Sequence, residues 1–405
     1  MMQSGKVMGL LVALAVLVIA VAHFQNSART ATPQAAARAF STAQWNRPSA
    51  RRPAVTLDQP STLEESLDPP AVDYDCRRIL KDGKRAPQLP REAVEAYLQK
   101  RQRSAESLLA AYHALDDTNL LAEAAVRFPN DPQVQWTVLN RDLFPEERRK
   151  WLELFKASAP DNALPNYLSA QEHLDNRYQE ETGNWRFGPD QLPLQDYMRT
   201  APAQAAINEL LEAASKPLFK NFTLEACLDE EALNLAAGRS SLQARLGATG
   251  WESDVAPELA RFKSIAVSLQ QFEKAYLSAG DTASAQNLAQ IGLALANRLR
   301  AAGSGKLNLD QLVGTASEAI HLHAWDANTS YDFLGGKTPK ERLAEMKQER
   351  ASLRSLTATV REQLPSLGEA DLLSYLDRQR IYGEAEAMRW LQARTQTATT
   401  AAPLP

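Results

Sequence analysis

Apolar positions along this chain recur at steps of three and four residues, and no run alternates at steps of two. The pattern is clearest from Val255 to Ala302. Leu259, Phe262, Ala266, Leu269, Phe272 and Tyr276 form one helical stripe, and Ser278-Ala279-Gly280-Asp281 interrupts it. Asp281 is placed to cap a second helix, whose stripe is Leu288, Ile291, Leu295 and Leu299. Ala285, Ala289, Gly292 and Ala296 flank that stripe, small enough to let two helices approach closely. The pattern predicts two antiparallel helices folded back at a short turn.

The same grammar covers most of the remaining chain. From Arg91, just after Pro90, one long helical pattern carries Val94, Leu98, Leu108, Leu109, Tyr112 and Leu115, and Asp116-Asp117-Thr118 stops it. Leu120 to Phe128 returns. Pro129-Asn130-Asp131-Pro132 ends that helix and opens the next, because proline is tolerated at a first helical position. Helices are predicted over Val134–Leu139, Pro145–Ala157 and Ala163–Tyr178, with a second proline turn at Ala159-Pro160-Asp161-Asn162. Thr182 to Pro193, rich in Gly and Pro and carrying Trp185 and Phe187, reads as a loop pinned by its aromatics. Ala203–Lys216 and Thr223–Leu246 resume helix, and Gly247-Ala248-Thr249-Gly250 marks a boundary between helical regions 91–250 and 251–396. Beyond the hairpin come Asn308–Trp325, Thr338–Gln363, and a last pair, Leu367–Arg380 and Glu384–Arg394, hinged near Tyr382-Gly383. The Thr/Ala-rich tail, 397–405, is expected to be disordered.

The body resembles a tetratricopeptide-type repeat protein. Tyr276-x3-Gly280-x4-Ala285 has the spacing of that family's central Tyr, Gly and Ala, with Leu269 and Phe272 where its Trp and Leu stand. Ala124-x4-Pro129 matches a repeat end, and Pro129 and Pro160 lie 31 residues apart. Glu273 replaces the usual small residue, and Asn297 stands where the terminal proline would be. The resemblance implies stacked helical hairpins and a groove that binds a peptide or protein; it carries over no catalytic residue. The expected class is all-α, an irregular α-solenoid of antiparallel hairpins.

The amino terminus changes the picture. Val7 to Phe24 is an uncharged apolar run after Lys6, at the lower limit for a spanning helix. Ala20-Val21-Ala22 before His23 also fits a cleaved signal. Residues 1–24 are therefore read as a signal peptide or a membrane anchor, with an exported body in the cell envelope. The arginines at 29, 38, 47, 51 and 52 favour the opposite orientation for a permanent anchor. Residues 25–90, with eight prolines, read as a disordered tether.

Composition narrows the chemistry. A formal net charge of -4 argues against general nucleic-acid binding. Only Cys76 and Cys227 are present, a pair that export would permit to bridge and that spacing leaves open. Gly336-Lys337-Thr338 ends like a phosphate loop, but Tyr331 stands where that motif needs glycine, and Thr338-Pro339-Lys340-Glu341 reads as a capping box. Asp326-x-Asn328-x-Ser330-x-Asp332 spaces oxygens like a calcium loop yet has Tyr331 and Lys337 at the positions of its glycine and glutamate, so a turn is the expectation. His321-x-His323 points to two faces of a helix, and His321 can meet only Glu318 on its own helix. Glu180-Glu181 and Asp229-Glu230-Glu231 read as solvated faces, and no nucleophile or zinc-protease motif is present. The reading is a non-enzymatic scaffold for a protein or peptide, without cofactor, metal or nucleic acid. Its alternatives are an all-α envelope enzyme cutting glycan with groove carboxylates, and a structural tether of a membrane complex.

Overall fold

The computed structural model describes residues 76, 86–179, 184–188, 190–248, 252–301 and 307–400. The chain divides into two compact units, 1–63 and 64–405, and every described residue belongs to the second. The apolar segment Val7–Phe24 and most of the tether lie outside the described residues. Among the described residues no helix is long and apolar enough to cross a membrane.

The fold is mostly helical. It begins with α1 (Arg91–Lys100) and α2 (Ala105–Leu115), where the sequence predicts one long helix. The break has a local cause: Gln102 and Arg103 take left-handed backbone angles, φ 52° and 51°, and Ser104 caps α2 through Ser107. Tertiary ion pairs stabilise that turn, since Arg103 holds both Glu95 and Glu123 at 2.7 and 2.6 Å. Next come α3 (Thr118–Arg127) and α4 (Pro132–Arg141), the latter with Asp131 as cap and proline at its first position. α5 (Arg148–Ser158) and α6 (Leu164–Leu174) complete this run.

Residues expected to finish α6, and those expected to form a loop, instead make a small antiparallel sheet. β1 (Arg177–Gln179), β2 (Asn184–Phe187) and β3 (Leu192–Pro193) pair in that order. Strands of two to four residues are too short to display an alternation, so periodicity does not reveal them. The anchor is Phe187, fully buried and stacked on Tyr197 with ring centroids 5.6 Å apart. Trp185 is only partly buried at the edge of the main core.

After α7 (Leu194–Tyr197) come α8 (Ala201–Ser215), α9 (Thr223–Ala236) and α10 (Ser241–Gly247). The apolar pattern merges the last two into one. Gly238 at φ 84° and the Ser240–Gln243 capping box divide them. The expected hairpin is α11 (Glu252–Ser278) with α12 (Thr282–Arg300), and Asp281 caps Ser284 at 3.0 Å. α13 (Asn308–Leu322), α14 (Pro339–Gln363), α15 (Glu369–Tyr382) and α16 (Glu384–Thr400) finish the described chain. α16 runs past Arg394 because no helix breaker intervenes before Pro403.

Neighbours in sequence pack together from α1 to α6, but later helices also return to earlier ones, α8 to α6 among them. α9 lies on α1 and α2, and α11 packs on α4, α6, α7, α12 and α13. One apolar core therefore runs from Leu89 to Leu299, across the boundary expected near 250. Leu89 belongs to that core, and Pro87 accepts a hydrogen bond from Arg239, so the last tether residues sit on the body. Cys76 packs against a smaller cluster of Leu242, Leu246 and Leu372. Both cysteines are free thiols.

Candidate functional site

Among the described residues, helices α12, α13, α14 and α16 enclose a large opening, an open cleft of about 1320 Å³. Its geometry follows from two clamps that hold α13 to α14 and α16. At one end Glu318 of α13 is nearly buried and receives Nε and Nη2 of Arg342 at 2.7 and 3.2 Å, with Arg300 of α12 on the same carboxylate. At the other end the Asn308 backbone N–H donates to Glu384 at 2.8 Å, and the Asn308 amide and Thr357 hydroxyl both reach the sulfur of Met388. Burial raises the pKa of Glu384, opposed by its bond from Asn308. The clamps are ten residues apart on α13 and fifteen on α14, spans of about 15 and 22 Å at ~1.5 Å per residue.

The middle carries two kinds of side chain. Leu312, 37% exposed, faces the cleft from α13, with the partly buried Leu353 and Leu356 from α14. Around them stand Gln311, Thr315, Ser352 and Gln392, and the charges of Arg300, Arg350, Arg389, Glu345 and Glu349. Glu345 is matched by Lys337 at 2.7 Å and Arg342 at 3.1 Å, and those two bonds depress its pKa. Glu349 accepts from Arg342 at 2.9 Å, and Arg389 pairs with Glu386 on its own helix. Arg350, half-buried, has no carboxylate partner among the described residues.

Compared with protein-family models, curated proteins and solved structures, the chain matches none. The geometry of its own side chains is therefore what bears on function.

The motifs singled out in the sequence fall mostly outside the cleft. Thr338 and Glu341 form the reciprocal cap with Pro339 inside it, and Lys337 of the Gly336-Lys337-Thr338 run goes to Glu345. Asp326 folds back on its own loop, accepting from the Asn328 N–H at 3.1 Å and the Thr329 hydroxyl at 2.7 Å. Among the described residues no cluster of three His, Cys, Asp or Glu side chains is placed to hold a metal. Glu180-Glu181 lies outside the described residues. Glu231 is not a solvated face: it is buried and paired with Arg245 and Arg380, joining α9 to α10 and α15.

His321 turns away from Glu318 to a partner the sequence does not place beside it. Glu273 of α11, fully buried, accepts from Nδ1 of His321 at 2.6 Å and from the Trp325 indole N–H at 3.2 Å. The other ring nitrogen lies against Gly292 of α12, where an added Cβ would fall 2.0 Å away. This buried group joins three helices. The sequence signal for it is Glu273 itself, charged where the repeat pattern has a small residue.

A second groove of about 600 Å³ lies between α8 and the α11–α12 hairpin. Ile207, Leu288 and Ile291 line it, Leu211 is half exposed there, and Gln204, Asn287 and Gln290 supply amides without any charged group.

Proposed function

We propose that the chain is a non-enzymatic helical scaffold, an irregular α-solenoid, that holds a segment of a protein or peptide partner in the cleft between α13 and α14. The observation that carries this is the cleft's construction: walls clamped at both ends, leucines left uncovered between them, and a rim of charges of which all but Arg350 are paired. A cleft of about 1320 Å³, open to solvent, exceeds the usual range of enclosed small-molecule pockets, ~300–1,000 Å³, and suits a length of chain. Of the carboxylates that line the cleft, Glu345 speaks for binding rather than glycan cleavage. A general acid needs a raised pKa near neutrality, whereas Glu345 is held down by Lys337 and Arg342.

The apolar segment Val7–Phe24 supports a location in the cell envelope, as a cleaved signal or a retained anchor. The test is isolation of tagged full-length protein from the cells that make it, beside a Leu312→Asp, Leu353→Asp double variant of unchanged melting temperature. Loss of a stoichiometric partner in the variant is expected. Retention of every partner assigns docking to another surface.

A further inference from the structure

We infer that the α13–α14 cleft selects a peptide segment carrying a carboxylate among apolar side chains, with Arg350 as the reader of that charge. This rests on the docking reading above and gives its partner a chemistry. Among the described residues five charged side chains line the cleft, three arginines and two glutamates, a local balance of one positive charge on a chain whose formal net charge is -4. Four of the five are already answered by the protein itself. Arg300 is held by Glu318, Arg389 by Glu386, Glu345 by Lys337 and Arg342, and Glu349 by Arg342.

Arg350 alone faces the cleft without a matching carboxylate among the described residues. It projects from the helix that also supplies Leu353 and Leu356, three and six residues further on, opposite Leu312. A guanidinium facing the cleft presents a planar fork that fits a carboxylate in two parallel hydrogen bonds. The neighbouring leucines gain from covering by apolar side chains. A cationic segment would meet Arg300, Arg350 and Arg389 without a free carboxylate to offset them, so like charge works against it.

The experiment is fluorescence anisotropy with full-length protein and two fluorescein-labelled twelve-residue probes, one of alternating Leu and Glu, the other with Lys for every Glu. The Leu/Glu probe is expected to bind at least tenfold tighter. Arg350→Glu should abolish or reverse that preference, while leaving the melting temperature unchanged, since Arg350 makes no internal pair to lose. Leu312→Asp with Leu353→Asp should weaken the Leu/Glu probe, through lost apolar cover and added like charge. Equal affinity for the two probes, or a preference that survives Arg350→Glu, overturns the inference. So does Arg350-dependent flotation of the protein with phosphatidylglycerol vesicles that displaces the Leu/Glu probe, because the anion read would then be a lipid headgroup. A cellular partner lost on Leu312→Asp, Leu353→Asp but indifferent to Arg350→Glu sinks only the charge preference and leaves the docking reading standing.

Discussion

Glu273 is a fully buried carboxylate on α11, met by His321 of α13 and by Trp325 just beyond the end of that helix. Two buried donors depend on this one side chain. Glu273→Ala leaves both unanswered and is expected to cost about 2–4 kcal/mol in a urea titration. Gly292→Ala attacks the same junction from the other side, driving a methyl into the His321 ring, and is expected to cost about 1–3 kcal/mol. A Gly292→Ala variant as stable as the wild type would show that the ring does not rest on α12.

His113 gives a pH dependence of known sign. It is buried beside Tyr112, and burial first, then the charge of Arg141, lower its pKa to about 3. Its unfolded value is near 6.5. The folded state therefore binds fewer protons between these values, and stability is lost as pH falls through 6.5 towards 3. The denaturant midpoint is expected to drop between pH 7 and pH 5, and His113→Leu should flatten that slope. An identical slope in the variant would assign the acid sensitivity to other groups.

At the level of elements, the joints between helices decide how the array stacks. Arg298 of α12 donates to the carbonyls of Ala213, Ala214 and Lys216 at 2.6, 3.0 and 2.5 Å, capping the end of α8 with a charge that also suits its dipole. Arg298→Ala leaves three partly buried carbonyls without this donor and is expected to lower stability by about 2–3 kcal/mol. Arg298→Lys should recover only part, having one point charge where the fork serves three acceptors.

Elements were legible where the signal was local. The hairpin α11–α12 showed its stripes and its Asp281 cap, and Asp131-Pro132 and Thr338-Pro339-Lys340-Glu341 marked helix starts correctly. The break before Ser104 was not legible, because its left-handed residues are Gln102 and Arg103 rather than glycine. Their conformation is held by Arg103 reaching Glu123, a contact from another helix. The sheet was missed for a related reason: its strands are held by Phe187 against Tyr197 and Phe272, not by an alternating run.

For the whole molecule the limit of the sequence is one of distance. The cleft draws its lining from Asn297 to Gln392 across four helices, and its clamps join residues 24 and 76 positions apart. Helical spacing makes Glu318 a neighbour of His321, whereas the fold gives it to Arg300 and Arg342. That exchange leaves Arg342 and Glu318 to hold one end of the cleft, whose lining includes Arg350. The expected boundary near 250 marks a pause between helices, while the core runs through it.

Whether a partner segment lies between α13 and α14 is tested most directly by a photo-crosslinking residue placed singly at Leu312, at Leu353 and at Leu218 in cells. Leu218 is also exposed and apolar, at 53%, but lies outside the cleft, between α8 and α9. One and the same discrete adduct is expected from positions 312 and 353, and none of it from 218. Adducts that are alike at all three positions, or absent from both cleft positions, would contradict docking in the cleft.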